Sequence, residues 1–209
     1  MKLEQNGSRF DIYLKEEFYG SFEIPLYGKH MVQNATAAVI IAKSLGIEKE
    51  QIYEALKDFQ NAERRFAIQT YENTIIMDDY AHHPTEIKAT LDAAASKFGK
   101  ENIVAVFQPH RYTRLKGLWD EFKTAFDEAG RVIVTDVYAA SEDPIDGINA
   151  KLFADELDGS EYLSGSIGDV ARKLFPSLHE GNVVIGLGAG TITILGKELE
   201  KIETNKDPI

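Results

Sequence analysis

Between Asp78 and Glu86 the chain reads DDYAHHPTE: two aspartates, a tyrosine, adjacent histidines, a proline and a glutamate within nine residues. Such a set suits a metal site, an acid–base pair, or a strand turning into a helix whose first turn is capped by polar groups. Metal ligation fits poorly. Neighbouring histidines diverge unless the backbone bends, and neither H-E-x-x-H, H-x-x-E-H nor a third spaced ligand is nearby, so no metal site is assigned. Pro84 suits the first turn of a helix, and Glu86 falls near the positive end of its dipole. Local spacing leaves capping and chemistry both open.

A second cluster is FQPHRYTR, where His110, Arg111 and Arg114 lie within five residues. Arginine presents a planar fork of donors, so the group fits a carboxylate or phosphate clamp; the alternative is a solvated basic loop. In GKHMVQNATAA, His30 and Asn34 are four apart and share one helical face, as ligand contacts or as caps at the core edge. GLGAGT (186–191) is not a dinucleotide fingerprint. Thr191 replaces the third glycine and only 19 residues follow Gly190, so it reads as a tight turn opening a terminal helix. His179 stands by itself in a polar loop.

These clusters need elements to position them. Residues 9–25 read as two strands, with Phe10, Ile12 and Leu14 alternating before an EEFYG turn, then Phe22 and Ile24. A helix with Val32, Ala35, Val39 and Ala42 on its buried face follows, then one with Ile52, Ala55, Leu56 and Phe59. NAERRF reads as a linker. Beyond residue 66, TIIMDD, IVAVFQ, VIVTD and VVIGLG are short, β-branched and not alternating, as strands buried on both faces should be. Between them run helical stripes, Ile87–Leu91–Ala95–Phe98 and Leu115–Leu118–Trp119–Phe122–Phe126–Ala129. Further helices are expected near 151–157 and 170–178. The alternation predicts a parallel α/β sheet covered on both sides. Its strands end in Asp78–Asp79, Gln108–His110–Arg111 and Asp136–Tyr138, residues that would line the crevice where open sheets bind ligands.

Composition narrows the partners. The chain has 209 residues, no cysteine and a net charge of −11, with an expected pI near 4.9. Disulfides and thiolate metal sites are excluded, and a cytoplasmic location is the simplest expectation. An acidic surface repels phosphate backbones, so nucleic acid is not an expected partner, and no apolar run is long enough for a membrane span.

GKHMVQNATAA, AERRF, DDYAHHPTE, FQPHRYTR and GAGTI, in this order and spacing, resemble the back part of the Mur ligases over nearly the whole chain. The pair DDYAHHPTE and FQPHRYTR is specific within the family. Ligases adding later amino acids lack the double histidine, and the murein-peptide recycling ligase differs at FQPHRYTR. The resemblance implies the C-terminal part of the central ATP-binding domain over 1–62, a small α+β remnant. It implies a complete Rossmann-like C-terminal domain over 63–209, a mostly parallel sheet with flanking helices. It further implies ATP and Mg2+, with UDP-N-acetylmuramate and L-alanine as partners and an acyl phosphate as intermediate. Asp79, His82 and His83 are the implied catalytic groups. Tyr80, His110, Arg111 and Arg114 would receive substrate, and His30, Asn34 and Arg65 would contact the nucleotide. Met31 stands where the family usually has asparagine.

No Gly-Lys pair fits the P-loop pattern G-x-x-x-x-G-K-[ST], so the metal and phosphates are expected to be held by N-terminal and central domains outside this chain. The chain alone is expected to lack ligase activity. Alternatives from other classes are the recycling ligase, a metal-dependent hydrolase using Asp78, Asp79, His82 and His83, and a non-catalytic nucleotide-binding module.

Overall fold

A computed structural model describes residues 2–4, 7–59, 67–71 and 74–204. The expected linker NAERRF, and Arg65 within it, lie outside the described residues. The chain divides into two compact units, 1–62 and 63–209.

The first unit is a three-stranded antiparallel sheet, β1 (Lys2–Glu4), β2 (Gly7–Leu14) and β3 (Glu17–Ile24), with α1 (Lys29–Ser44) and α2 (Lys49–Lys57). Alternation in β2 and β3 turns Phe10, Ile12, Phe22 and Ile24 inward against Val32, Ala35, Val39 and Ile52. Two expectations shift. The hairpin turns at Lys15 and Glu16, whose φ values of 49° and 71° give the paired left-handed geometry that matches strand twist, so EFYG already belongs to β3. Helix α2 ends at Lys57, which leaves Phe59 beyond it and exposed; Ala55 is also exposed, and Tyr53 packs with Ile52 and Leu56 instead.

The second unit holds a six-stranded sheet in the order β4-β5-β9-β6-β7-β8. Strands β5 (Thr74–Asp79), β6 (Ile103–Phe107), β7 (Arg131–Thr135) and β9 (Val183–Leu187) are the four apolar runs read from the sequence. With β8 (Ser160–Leu163) they run parallel, and β4 (Ala67–Tyr71) adds an antiparallel edge. Successive residues of each central strand point to opposite faces. Met77, Ala105, Phe107, Val132, Val134 and Ile185 pack under α3 (Pro84–Phe98), α4 (Tyr112–Gly117), α5 (Trp119–Lys123) and α6 (Ala150–Glu156). Ile76, Val104, Val106, Ile133 and Val184 pack under α7 (Ile167–Leu174) and α8 (Leu195–Thr204).

The stripe from Leu115 to Ala129 is not one helix. The chain breaks at Leu118, with φ −123° and ψ 22°, and α5 ends at Lys123. Phe122 and Phe126 are buried all the same, because successive turns face the same side of the sheet. With Phe153 they surround Phe107, at centroid distances of 5.2, 5.2 and 6.3 Å. Truncating Phe107, fully buried, would cost about 3–5 kcal/mol, and it is the residue from which the FQPHRYTR loop departs. The helix expected near 170–178 starts earlier, at Ile167, and closes in a 3-10 turn at Phe175–Ser177. Among the described residues, no helix is long and apolar enough to cross a membrane.

Candidate functional site

Strand order places the site. Chain connections after β5 and β6 run to one face of the sheet, while β9, lying between them, leads to α8 on the other. A crevice opens where adjacent strands part in this way. Its floor is the Gly188–Gly190 turn after β9. Gly188 N–H donates to Asp79 O at 3.2 Å, and Gln108 N–H donates to Leu187 O at 3.0 Å. Both glycines are required by close approach. A Cβ on Gly188 would lie 2.9 Å from Gln108 O, and one on Gly190 would lie 2.5 Å from Gln108 Oε1 and 2.6 Å from Tyr138 Cγ. The sequence GLGAGT is therefore a turn, entering α8 through a 3-10 turn at Thr191–Ile194.

DDYAHHPTE is a strand end and a capped helix start. Asp79 is 3% exposed, and its Oδ1 accepts Ala81 N–H at 2.8 Å, closing the turn out of β5. His83 is the N-cap of α3: its Nδ1 accepts from Thr85 N–H at 3.3 Å. The Glu86 carboxylate accepts from the amides of His82 and His83 at 3.1 and 3.2 Å. This is a reciprocal capping box with Pro84 in the first turn. Asp79 and His83 thus shape the backbone, whereas Tyr80 and His82 project onward. His82 Nδ1 lies 2.8 Å from Tyr80 O and 3.6 Å from Glu86 Oε2, two acceptors, so that nitrogen carries a proton, and it is Nε2 that presents the lone pair in the neutral form of the ring.

FQPHRYTR leaves β6 beside this turn. The rings of Tyr80, His82, His110 and Tyr138 form a chain, with centroid separations of 5.1, 5.9 and 5.4 Å; His110 and Tyr138 stack at 17°. Since β5 and β6 are not neighbours, the His82–His110 contact bridges the end of β9. Tyr138 N–H donates to Pro109 O at 2.8 Å and Arg111 N–H to Tyr138 O at 2.9 Å, so the ends of β6 and β7 are joined through backbone. Arg114 Nη1 donates to His110 Nδ1 at 3.1 Å. A guanidinium can only donate, so His110 accepts at Nδ1 and carries its proton on Nε2. The two rings therefore use Nδ1 in opposite senses, His82 as donor and His110 as acceptor. Burial first, then the positive charge of Arg114, holds the His110 imidazole below its ordinary pKa, so it stays neutral.

The structure thus brings together Tyr80, His82, His110, Arg111 and Arg114, and adds Tyr138, noticed in the sequence only as a strand-end residue. His30 and Asn34 lie on α1 of the first unit, half-buried and exposed. Among the described residues no three histidine, aspartate or glutamate side chains gather as a metal site. Among the same residues, neither Arg111 nor Arg114 has a carboxylate within 4 Å. In a chain of net charge −11 this is unusual. The Glu142 carboxylate, held on Thr113 between them, is near enough to feel the charge of Arg111 without forming an ion pair with it.

Fold and site define a doubly wound α/β domain with a crevice beyond its strand ends, beside which Arg111, Arg114 and His110 lie. The chain belongs to the Mur ligase family: the family model "Mur ligase, glutamate ligase domain" matches residues 63–190. It is 39% identical over 210 residues to a UDP-N-acetylmuramate–L-alanine ligase of Sulfurihydrogenibium sp., covering 99% of this chain and 45% of that protein. It is 42% identical over 203 residues to the ligase of that name from Desulforamulus reducens, covering 94% and 44%. The crystal structure of UDP-N-acetylmuramate–alanine ligase from Thermotoga maritima superposes with a TM-score of 0.79 at 28% identity, over 97% of this chain and 44% of that one. The chain therefore spans less than half the length of the relatives it matches.

Proposed function

We propose that this chain is the C-terminal part of a cytoplasmic, ATP-dependent ligase that joins L-alanine to the lactyl carboxylate of UDP-N-acetylmuramate in peptidoglycan synthesis. The observation that carries the reading is the pair Arg111 and Arg114, with no carboxylate of the described residues within 4 Å, beside a neutral His110. Such a pair suits the carboxylate of a free amino acid. The names of the relatives support the same substrates.

Amide formation from a carboxylate needs an activated acyl group, because oxide is too poor a leaving group. ATP supplies the activation by forming an acyl phosphate, and the amine then displaces phosphate. The residues of this chain hold and orient the amine. Arg111 and Arg114 grip the amino-acid carboxylate. His82 Nε2, the lone-pair side of its ring, takes the proton that the attacking ammonium must lose. His110 Nε2–H offers a donor to an oxygen that gains charge. Asp79 and His83 act through the turn and the cap that carry Tyr80 and His82. His30, Asn34 and Arg65 are assigned to the nucleotide by family resemblance. Mg2+ and the triphosphate are assigned to a P-loop that this sequence lacks.

The test is product formation by the whole enzyme. ADP release that requires both UDP-N-acetylmuramate and L-alanine supports the reading. Release driven by a murein tripeptide in place of L-alanine would move the protein to the recycling branch. ADP release by the 209-residue chain alone would overturn the assignment of the phosphates to another part.

A further inference from the structure

Arg111 and Arg114 belong to a helix that cannot hold itself. Helix α4 has six residues, its N-cap Arg111 sits in the left-handed region at φ 70°, and no side chain of that residue caps it. The missing acceptor comes from 29 residues away. Glu142 takes Thr113 N–H on Oε2 at 3.0 Å and Thr113 Oγ1–H on Oε1 at 2.6 Å. Both carboxylate oxygens therefore rest on the first turn of α4, chiefly on Thr113 between the two arginines and also on the Tyr112 amide. These bonds, those from Thr113 foremost, also hold the Glu142 carboxyl below its usual range, so it stays ionised.

The loop that delivers Glu142 is a tight turn. Ala140 and Ser141 are consecutive left-handed residues, at φ 51° and 70°, and neither is glycine. The pair forms a tight turn of the kind seen at Lys15–Glu16, and without glycine it carries a conformational cost that its surroundings must offset. Here the restraints are the Tyr138–Arg111 and Tyr138–Pro109 backbone bonds on one side and the Glu142 latch on the other, with Glu142 N–H donating to Ala139 O at 3.0 Å. With its oxygens turned to Thr113, Glu142 can fix the helix start without an ion pair to Arg111 or Arg114, although the charge of Arg111 reaches it.

We propose that Glu142 is a positioning residue for the amino-acid subsite, a carboxylate latch that sets the helix start carrying Arg111 and Arg114. The proposal rests on the ligase reading above for its substrate and on geometry alone for the latch. In the whole enzyme, Glu142→Ala should raise KM for L-alanine about tenfold, with kcat and KM for ATP changed less than about twofold. Thr113→Val, which removes the hydroxyl donor, should move KM the same way, and Thr113→Ser should restore it. An unchanged alanine KM overturns the proposal, and so does an equal rise for all substrates. A wild-type enzyme that makes no alanine adduct refutes the ligase reading instead. The latch is then judged in the 209-residue chain by NMR. Glu142→Gln should shift the Thr113 amide and the Arg111 and Arg114 side-chain resonances while leaving Ile133 in place. Arginine signals that do not move count against it.

Discussion

Gln108 and Thr191 stand 83 residues apart in sequence and meet at the ends of β6 and β9, where Gln108 Nε2 donates to Thr191 Oγ1 at 2.9 Å. The same side chain, 5% exposed, accepts Ile192 N–H on Oε1 at 3.0 Å. One amide thus satisfies the first turn after the glycines and ties it to the loop that bears His110. Crevice floor and crevice wall are a single hydrogen-bonded unit.

Gln108→Leu should therefore destabilise the chain by about 1–3 kcal/mol, because the buried Ile192 amide keeps its desolvation cost and loses its acceptor. Urea denaturation followed by circular dichroism measures it. A loss under about 0.5 kcal/mol would mean that the turn finds another partner.

Gly190→Ala and Gly117→Ala should differ in sign. At Gly190 the backbone, φ −103° and ψ −144°, already lies outside the regions L-residues favour, and the new methyl would sit 2.5 Å from Gln108 Oε1 and 2.8 Å from Tyr138 Cβ. Overpacking of this kind costs about 1–3 kcal/mol and should push Tyr138 off His110. Gly117 lies in α4 with nothing within 4 Å of its Cβ position, so alanine there should stabilise by about 0.5–1 kcal/mol. Two melting curves decide the pair.

What was legible in the sequence follows the strength of the hydrophobic signal. Runs such as IVAVF are buried along their whole length, so composition alone announces the strand. SEYL, at the sheet edge, is half-buried and polar, and β8 passes unnoticed. The break at Leu118 is hidden because consecutive turns repeat the helical spacing of apolar residues. The site shows the same division. Which residues end the strands can be read directly, since polarity returns where the core stops. Which of them touch cannot: His82 meets His110 only because β9, last in sequence, inserts between β5 and β6. Glu142 was invisible for a related reason. A carboxylate that caps a helix 29 residues away leaves no periodicity, and only the left-handed Ala140–Ser141 pair betrays the loop's constraint once the backbone is known.

Tyr162 and Asp136 offer a test away from the arginines. Tyr162 O–H donates to Asp136 Oδ1, and Asp136 Oδ2 also accepts Gly165 N–H at 2.8 Å. Burial, then that bond to a carboxylate, pushes the phenol up to about 12. A group whose pKa rises on folding stabilises the protein below its unfolded pKa, near 10, and loses that contribution as pH climbs through 12. Tyr162→Phe should cost about 1 kcal/mol at pH 7 and should flatten the alkaline fall in stability between pH 10 and 12. Equal alkaline slopes for the two proteins would show that Tyr162 contributes nothing there.

His110 gives the opposite sign. Its imidazole is held below 6.5, by burial first and by Arg114 second, with His82 and Arg111 adding and Glu142 opposing. A histidine depressed on folding leaves stability intact above its unfolded pKa, and stability drains as pH falls from there through the folded value, because the unfolded chain binds the proton first. Arg114→Met removes one cause and leaves the other. The His110 midpoint, followed by NMR of the ring protons, should rise yet stay below 6.5, and the acid loss of stability should shrink with it. Losing Arg114 also removes a charged hydrogen bond to the proposed amino-acid carboxylate. In the whole enzyme the same variant should weaken alanine use by about 1.5–3 kcal/mol, roughly 10- to 150-fold in kcat/KM. The two readouts separate the two roles. A raised midpoint with unchanged alanine kinetics would leave Arg114 as a tuner of His110 and place the carboxylate elsewhere. A lost alanine activity with an unmoved midpoint would mean that the 3.1 Å contact to Nδ1 does not persist in solution.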